Sequence, residues 1–241
     1  MAKADYGIDA PGVVRNFVLA ALGGGLLLWL APRLHLSRAV ASAVASIGAT
    51  AGLIFGVEAV LMLWTSLSGK RVAARQLVDL AELKADDRVL DMGCGRGLLL
   101  IEAAKRLKEG RAVGLDIWNA EDLSGNRPEA TEANAKAEGV ADRVELVDGN
   151  AMKMPFPDAS FEAVVSSLCL HNLYKKEDRA VALAEIVRVL KPGGRAVIQD
   201  FRHTADYAKA LREAGLIVDS RSLVNPLLMF PPTWRVIARK A

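Results

Sequence analysis

The chain of 241 residues holds only two cysteines, Cys94 and Cys169. They offer neither a disulfide framework nor metal-ligand spacing, which fits a reducing cytosol. Its three histidines, His35, His171 and His203, stand too far apart for a zinc pattern, so no metal is expected. A formal net charge of +3 is too small to argue for a nucleic-acid partner. Internal repeats and low-complexity segments are also missing. Apolar residues are not scarce: they make up 52% of the chain, and the excess lies at the N-terminus.

The most informative stretch is Arg88-Val-Leu-Asp-Met-Gly-Cys-Gly-Arg-Gly97. Val89 and Leu90 suit a strand covered on both faces, and Gly93, Gly95 and Gly97 clear side chains from the turn that follows. Leu98–Leu107 has a helical pattern, so strand, glycine turn and helix form a nucleotide-binding layout. The dinucleotide fingerprint G-x-G-x-x-G is not met, because Leu98 follows Gly97. Asp91 sits inside the strand end, where a carboxylate opposes a pyrophosphate but suits a cationic ligand. S-adenosylmethionine, with its ammonium and sulfonium, fits better than a nicotinamide dinucleotide. The next strand, Arg111–Leu115, ends at Asp116, whose carboxylate can accept from both ribose hydroxyls. Ile117 and Trp118 follow it, as adenine neighbours or as ordinary core.

These residues resemble class I S-adenosylmethionine-dependent methyltransferases over roughly residues 70–241. The family pattern of two apolar residues, then Asp-x-Gly-x-Gly-x-Gly, matches Val89–Gly97, and its ribose acid matches Asp116. Val144–Met152 resembles the third strand and adenine loop, 155–161 the loop entering the fourth strand, and 189–194 the turn before the fifth. The resemblance implies a Rossmann-like α/β sheet, mostly parallel, with an antiparallel terminal hairpin. It also implies a cofactor site of Asp91, Gly93, Gly95, Gly97, Asp116, Ile117, Asn150, Ala151 and Ser167. The family usually has Gly-Asp-Ala in the adenine loop, where this chain has Gly149-Asn150-Ala151. Asn150 keeps an acceptor oxygen but loses the charge, and Asp148 is a possible substitute.

Ahead of this region lie two apolar stretches, 17–31 and 39–67, joined by Pro32–Arg38. A membrane-spanning helix needs about 20 apolar residues, so the second qualifies and the first does if Val13 and Val14 join it with Arg15 snorkelling. The expected organisation is an apolar helical hairpin over 1–67, serving as a membrane anchor, and a methyltransferase domain over 68–241. A secretion signal is rejected, because a second, longer apolar stretch follows at once and export would cost the cofactor supply. Lys3, Arg15, Lys70, Arg71 and Arg75 flank the hairpin against Arg33 and Arg38 in the connection. This places the catalytic domain on the cytoplasmic side of the membrane. The alternative is a soluble helical cap or oligomer interface, which the small residues of 23–25 and 41–46 would also serve. Glu58 is the only acid inside an apolar run, either a functional group or an interfacial or helix-pairing carboxylate.

Helices are expected at 72–83, 128–138 and 178–190, strands at 143–147, 161–166 and 195–199, and a helix capped by Thr204. Closing strands are expected at about 216–223 and 233–239. The exit of the fourth strand, 166–173, carries His171 as candidate base with Asn172 as its orienting amide; the other option is a loop histidine bonded to backbone. Asp200 and His203 form a second candidate pair, and Cys169 reads as packing. The insertion 119–127 and the loop 225–232 form the variable walls of the site. The expected function is membrane-anchored transfer of a methyl group to a lipophilic small molecule or lipid. The competing readings are a non-catalytic cofactor-binding membrane scaffold and a nicotinamide-dependent oxidoreductase, the latter opposed by Leu98 and Asp91.

Overall fold

The computed structural model describes residues 3–119 and 123–241. Its centre is a seven-stranded sheet in the order β3-β2-β1-β4-β5-β7-β6. The strands are β1 (Arg88–Met92), β2 (Arg111–Asp116), β3 (Val144–Asp148), β4 (Phe161–Ser167), β5 (Leu190–Asp200), β6 (Leu216–Leu223) and β7 (Trp234–Lys240). β1 to β5 run parallel, and β6 and β7 close the edge as an antiparallel pair. The expected mostly parallel α/β sheet with a terminal hairpin is therefore observed.

Alternation along β1 explains the two-sided core. Leu90 and Met92 pack with Phe161, Leu170, Ile186 and Tyr207 on one face. Val89 packs with Leu77, Leu100 and Ile101 on the other. Helices α3 (Lys70–Asp79), α4 (Leu98–Ala104), α5 (Pro128–Ala137), α6 (Lys176–Val189) and α7 (Thr204–Glu213) cover these faces. The sheet order reverses between β1 and β4, and ligands of such sheets bind beyond the strand C-termini at that point.

Several boundaries differ from the sequence expectation. α4 stops at Ala104, short of Leu107. β5 begins at Leu190 rather than 195: Leu190 pairs with Phe161, then the register jumps to Arg195 opposite Ala163 across Pro192-Gly193-Gly194. Thr204 is not the cap of α7. His203, in the left-handed region at φ 58°, precedes the helix, and the Thr204 hydroxyl accepts from Arg221 Nε instead. Of the expected wall 119–127, residues 120–122 lie outside the described residues.

Two long helices precede the sheet, α1 (Pro11–Leu30) and α2 (Arg38–Trp64). Ser37 caps α2 by accepting from Val40 N, a single turn after Arg33. The helices lie close because glycine faces glycine: a Cβ on Gly24 would stand 2.5 Å from Gly52 N and 2.6 Å from Gly48 O. Phe17 and Phe55 meet nearby at 5.8 Å between ring centroids. Away from that seam the surface is apolar, with Leu22, Leu26, Trp29, Ile47, Leu53, Val60 and Trp64 all more than half exposed. Each helix is long and apolar enough to cross a membrane, and little of either is buried.

The expected division at 67/68 falls inside continuous helix. α2 passes through a π-helical turn, Thr65–Gly69, directly into α3, where Thr65 Oγ1 donates back to the Leu61 or Met62 carbonyl. The helix expected at 72–83 accordingly begins earlier and ends at Asp79. Residues ahead of α1 pack on the sheet domain, with Ala4 and Tyr6 buried beside Leu77 and Leu99. The buried Lys70 ammonium fastens this strap, donating to the carbonyls of Tyr6 and Gly7 and to Asp9 Oδ1 at 2.8–2.9 Å. Asp9 N also donates to Ser66 Oγ, so the hairpin departs and returns at one place.

Candidate functional site

The glycine turn is tied to β2 by Gly93 N and Cys94 N, both donating to the Leu115 carbonyl. Gly93 takes φ 74°, and a Cβ there would lie 2.3 Å from Cys169 Sγ. Gly97 takes φ 81° as the residue before α4, where a Cβ would meet Thr131 Cγ2 at 2.6 Å. These two glycines therefore serve close packing of the protein on itself. Cys169 is the residue that Gly93 accommodates, and burial pushes its thiol far up, so it packs rather than reacts.

Asp91 lies at the end of β1, 1% exposed. Its Oδ2 accepts from Leu100 N at 2.8 Å, capping the first turn of α4 from outside the helix. Its Oδ1 is buried with no hydrogen-bond partner. Burial, reinforced by the neighbouring Asp116 charge, raises this carboxyl from 3.8 to about 8 against the opposing Leu100 bond. Asp116 ends β2 and organises the opposite side of the turn. Oδ2 accepts from Gly95 N at 2.8 Å, and Oδ1 from Trp118 N at 2.7 Å and Asn126 Nδ2 at 3.4 Å.

The adenine-loop candidates lie beside it. Ile117 is 64% exposed on the cavity wall. Trp118 turns instead toward Asp148, which accepts from its indole N–H and so is engaged within the protein. The Asn150 side-chain oxygen accepts from Met152 N at 2.8 Å, shaping the loop that carries Ala151 into the cavity wall. Ser167, at the end of β4, accepts from Gln199 Nε2 at 3.4 Å.

His171 lies in a short 3-10 turn after β4, beside the buried carboxylate of Asp200 from the end of β5. Nδ1 of the ring is 2.9 Å from Asp200 Oδ1, at ion-pair distance without the alignment of a hydrogen bond. The His171 backbone N–H donates to Asp200 Oδ2 at 3.0 Å, and the Phe201 ring stands edge-on to the imidazole at 4.5 Å. Asp200 thus occupies the place expected of Asn172, which lines the cavity without bonding His171. The expected Asp200–His203 pair is not formed: His203 points to Asp206, with Nδ1 3.8 Å from its carboxylate. Pairing by nearness in sequence missed the contact, because Asp200 and His171 come together only through the β4–β5 register.

One cavity of about 770 Å³ connects these groups. Asp91, Gly93, Gly95, Asp116, Ile117, Asn150, Ala151, Ser167, His171 and Asn172 all border it, while Gly97 supports the turn from behind. The cavity continues past Tyr6 and Asp9 of the strap to Val13 and Phe17 of α1 and Glu58 and Met62 of α2. Met229, Phe230 and Pro231, from the loop between β6 and β7, form another wall. That loop also packs inward, with Met229 buried against Ala73 and Val224. Sequence reasoning missed the strap and the hairpin base as parts of the site, since nothing local marks a distant helix end as a wall. Among the described residues no cluster of His, Cys, Asp or Glu could hold a metal.

The donor set fits S-adenosylmethionine. The unpartnered Asp91 oxygen suits an ammonium, and the cradle of positive-φ glycines at the strand ends leaves room for a nucleoside. Residues 90–198 match the family profile described as "Methyltransferase domain". The chain is 41% identical over 133 residues to the demethylmenaquinone methyltransferase of Lactiplantibacillus plantarum, covering 55% of this chain and 52% of that protein. It is 35% identical over 153 residues to the chloroplastic 2-phytyl-1,4-beta-naphthoquinone methyltransferase of Arabidopsis thaliana, covering 63% and 56%. The chain thus spans about half the length of the curated relatives it matches. Geranyl diphosphate methyltransferase solved with S-adenosylmethionine shares the fold at 19% identity and a TM-score of 0.56, covering 70% of this chain and 84% of that one. A methyltransferase from Aquifex aeolicus does so at 20% identity and 0.56, covering 70% and 89%.

Proposed function

We propose that this chain, whose residues 90–198 match a methyltransferase domain profile, is a class I S-adenosylmethionine-dependent enzyme that methylates a lipophilic small molecule of the quinol type at the surface of a membrane in which its hairpin is anchored. The observation that carries the reading is the single cavity joining the unpartnered Asp91 oxygen to the base of an apolar hairpin. The relatives' printed names, which specify naphthoquinone and menaquinone methylation, support the acceptor class.

S-adenosylmethionine, when bound, supplies an electrophilic methyl group and departs as S-adenosylhomocysteine. Asp91 holds its ammonium, Asp116 its ribose, and Ile117, Asn150 and Ala151 border its adenine. Gly93, Gly95 and Gly97 keep the backbone of the turn close, and Ser167 lies toward the reacting end. His171 accepts the hydroxyl proton of the acceptor, which raises electron density on the ring as the new carbon–carbon bond forms. The ring hydrogen then leaves as a proton to the solvent while His171 returns its proton to the ring oxygen, so that one proton is released for each methyl group transferred. Asp200 holds the imidazole in place and stabilises its cationic form, and Asn172 adds a polar contact on the wall. The strap and hairpin base exclude water, and positioning supplies much of the rate.

The division of labour is residues 1–67 as anchor, apart from the strap, and 68–241 as catalytic domain. Arg33 and Arg38 at the hairpin tip are outnumbered by basic residues near its base, so the domain faces the cytoplasm. The test is a screen of membrane lipid extract with methyl-labelled cofactor. It should label a quinone-type lipid, while S-adenosylhomocysteine binds and NAD does not. Binding without any labelled product would leave a cofactor-binding scaffold, and recovery of the full chain in the soluble fraction without detergent would overturn the anchor.

A further inference from the structure

Glu58 is the one acid within the two long helices, and its position separates the roles open to it. A carboxylate serving helix pairing would meet a donor across the seam. Among the described residues Glu58 forms no hydrogen bond or ion pair. A carboxylate reaching for lipid headgroups would lie on the outward face, which here carries the exposed Leu53, Ile54, Val57 and Val60. Glu58 is instead half-buried on the wall of the cavity that reaches Asp91 and His171. The other residues of α1 and α2 that line the cavity, Val13, Phe17 and Met62, are apolar. An ionisable group kept unpaired in such a setting costs stability and calls for a ligand that satisfies it.

We infer that Glu58 accepts a hydrogen bond from a hydroxyl of the methyl acceptor and thereby selects the reduced form of a quinone-type lipid. The inference rests on the function proposed above and deepens it. The acceptor's apolar tail lies along Val13, Phe17 and Met62, toward the exposed apolar faces of the hairpin. Its head reaches the cofactor end of the cavity. A hydroquinone presents O–H donors to the carboxylate. The oxidised quinone presents only carbonyl oxygens, whose lone pairs repel it. Selection matters chemically, because only the reduced ring is electron-rich enough to attack a methyl electrophile. Glu58 is a specificity and positioning residue on this reading, distinct from His171, which moves the proton.

The test measures binding of two probes, a short-tailed naphthohydroquinone and its oxidised quinone, anaerobically in lipid nanodiscs with the full chain and saturating S-adenosylhomocysteine. Parent protein should prefer the hydroquinone. Glu58→Leu should weaken hydroquinone binding by about tenfold or more, the scale of one hydrogen bond to a charged group. Glu58→Gln, which can both donate and accept, should keep hydroquinone binding within about threefold and gain affinity for the oxidised quinone. Unchanged S-adenosylhomocysteine affinity in both variants establishes that they fold. Hydroquinone binding by Glu58→Leu equal to the parent would overturn the inference. Failure of the acceptor class looks different: the parent binds S-adenosylhomocysteine but neither probe. Glu58 is then judged on whichever lipid the labelling screen identifies, where an unchanged KM in Glu58→Leu overturns its role.

Discussion

At the residue scale the burial of Asp91 predicts that cofactor binding is coupled to protons. Its carboxyl is raised to about 8 chiefly by burial, so the ligand-free protein holds a proton there at pH 7. The unfolded chain loses that proton near 3.8, so folding binds a proton between these values. Stability from this group is therefore greatest below about pH 4 and declines as pH rises toward 8. A ligand ammonium beside Oδ1 favours the charged form and should expel the proton. Calorimetry of S-adenosylhomocysteine binding at pH 7 in buffers of different ionisation enthalpy should show proton release, absent in Asp91→Asn. Binding enthalpies independent of buffer in the parent would mean that Asp91 does not meet the ammonium. His171 gives a second outcome at this scale. His171→Ala should lower kcat by about 100-fold, the usual size of general-base assistance, and leave S-adenosylhomocysteine affinity unchanged. A mutant of full rate would return His171 to a packing role against Phe201. The position of Asp91 and Asp116 at the glycine turn was legible because strand ends and glycines lie close in sequence. The Asp200 partner was not, since 29 residues separate it from His171 and only the sheet register closes the gap.

At the scale of elements the hairpin depends on its small residues. Gly24 has no space for a side chain against Gly48 and Gly52, and a Cβ on Gly56 would stand 3.9 Å from that of Ala21. That separation suits a disulfide, for which Cβ atoms lie about 3.5–4.5 Å apart. In membranes, Ala21→Cys combined with Gly56→Cys should oxidise readily within one chain, detected as a mobility shift lost on reduction. Adding Gly24→Leu should push the helices apart and abolish the crosslink. Efficient crosslinking despite Gly24→Leu would mean that the helices do not meet along this seam. Apolar length made both helices readable, and the sheet strands followed from their apolar runs and bounding turns. The π turn at Thr65–Gly69 was hidden because the apolar run ends at residue 67, between Ser66 and Gly69, where the expected boundary between hairpin and domain was placed. Their backbone continues the helix because Thr65 satisfies carbonyls at Leu61 and Met62 and Gly69 permits close approach of Leu228.

For the whole molecule the arrangement of ends decides how the hairpin and the sheet domain can be separated. Cutting at residue 67 removes Ala4 and Tyr6 from the core and leaves the buried Lys70 ammonium without its three oxygen partners. An unpaired buried charge is costly, so a domain starting at residue 68 should be markedly less stable than the full chain. Asp9 N contacts Ser66 Oγ at 3.2 Å, however, so residues 11–64 leave the domain and rejoin it at one point. Replacing 11–64 with a short glycine-serine linker keeps the strap, Lys70 and the glycine turn, and closing so short a loop costs little. This variant should be soluble without detergent and bind S-adenosylhomocysteine within about threefold of the parent, since the residues proposed to hold the cofactor all lie outside the excised segment. It should no longer float with lipid vesicles. Methyl transfer to a vesicle-resident acceptor should fall much further than cofactor affinity, because Phe17, Glu58 and Met62 leave with the hairpin. A variant that still floats would locate membrane attachment in the sheet domain, and one with full transfer to vesicle-resident acceptor would remove the hairpin from the acceptor's path.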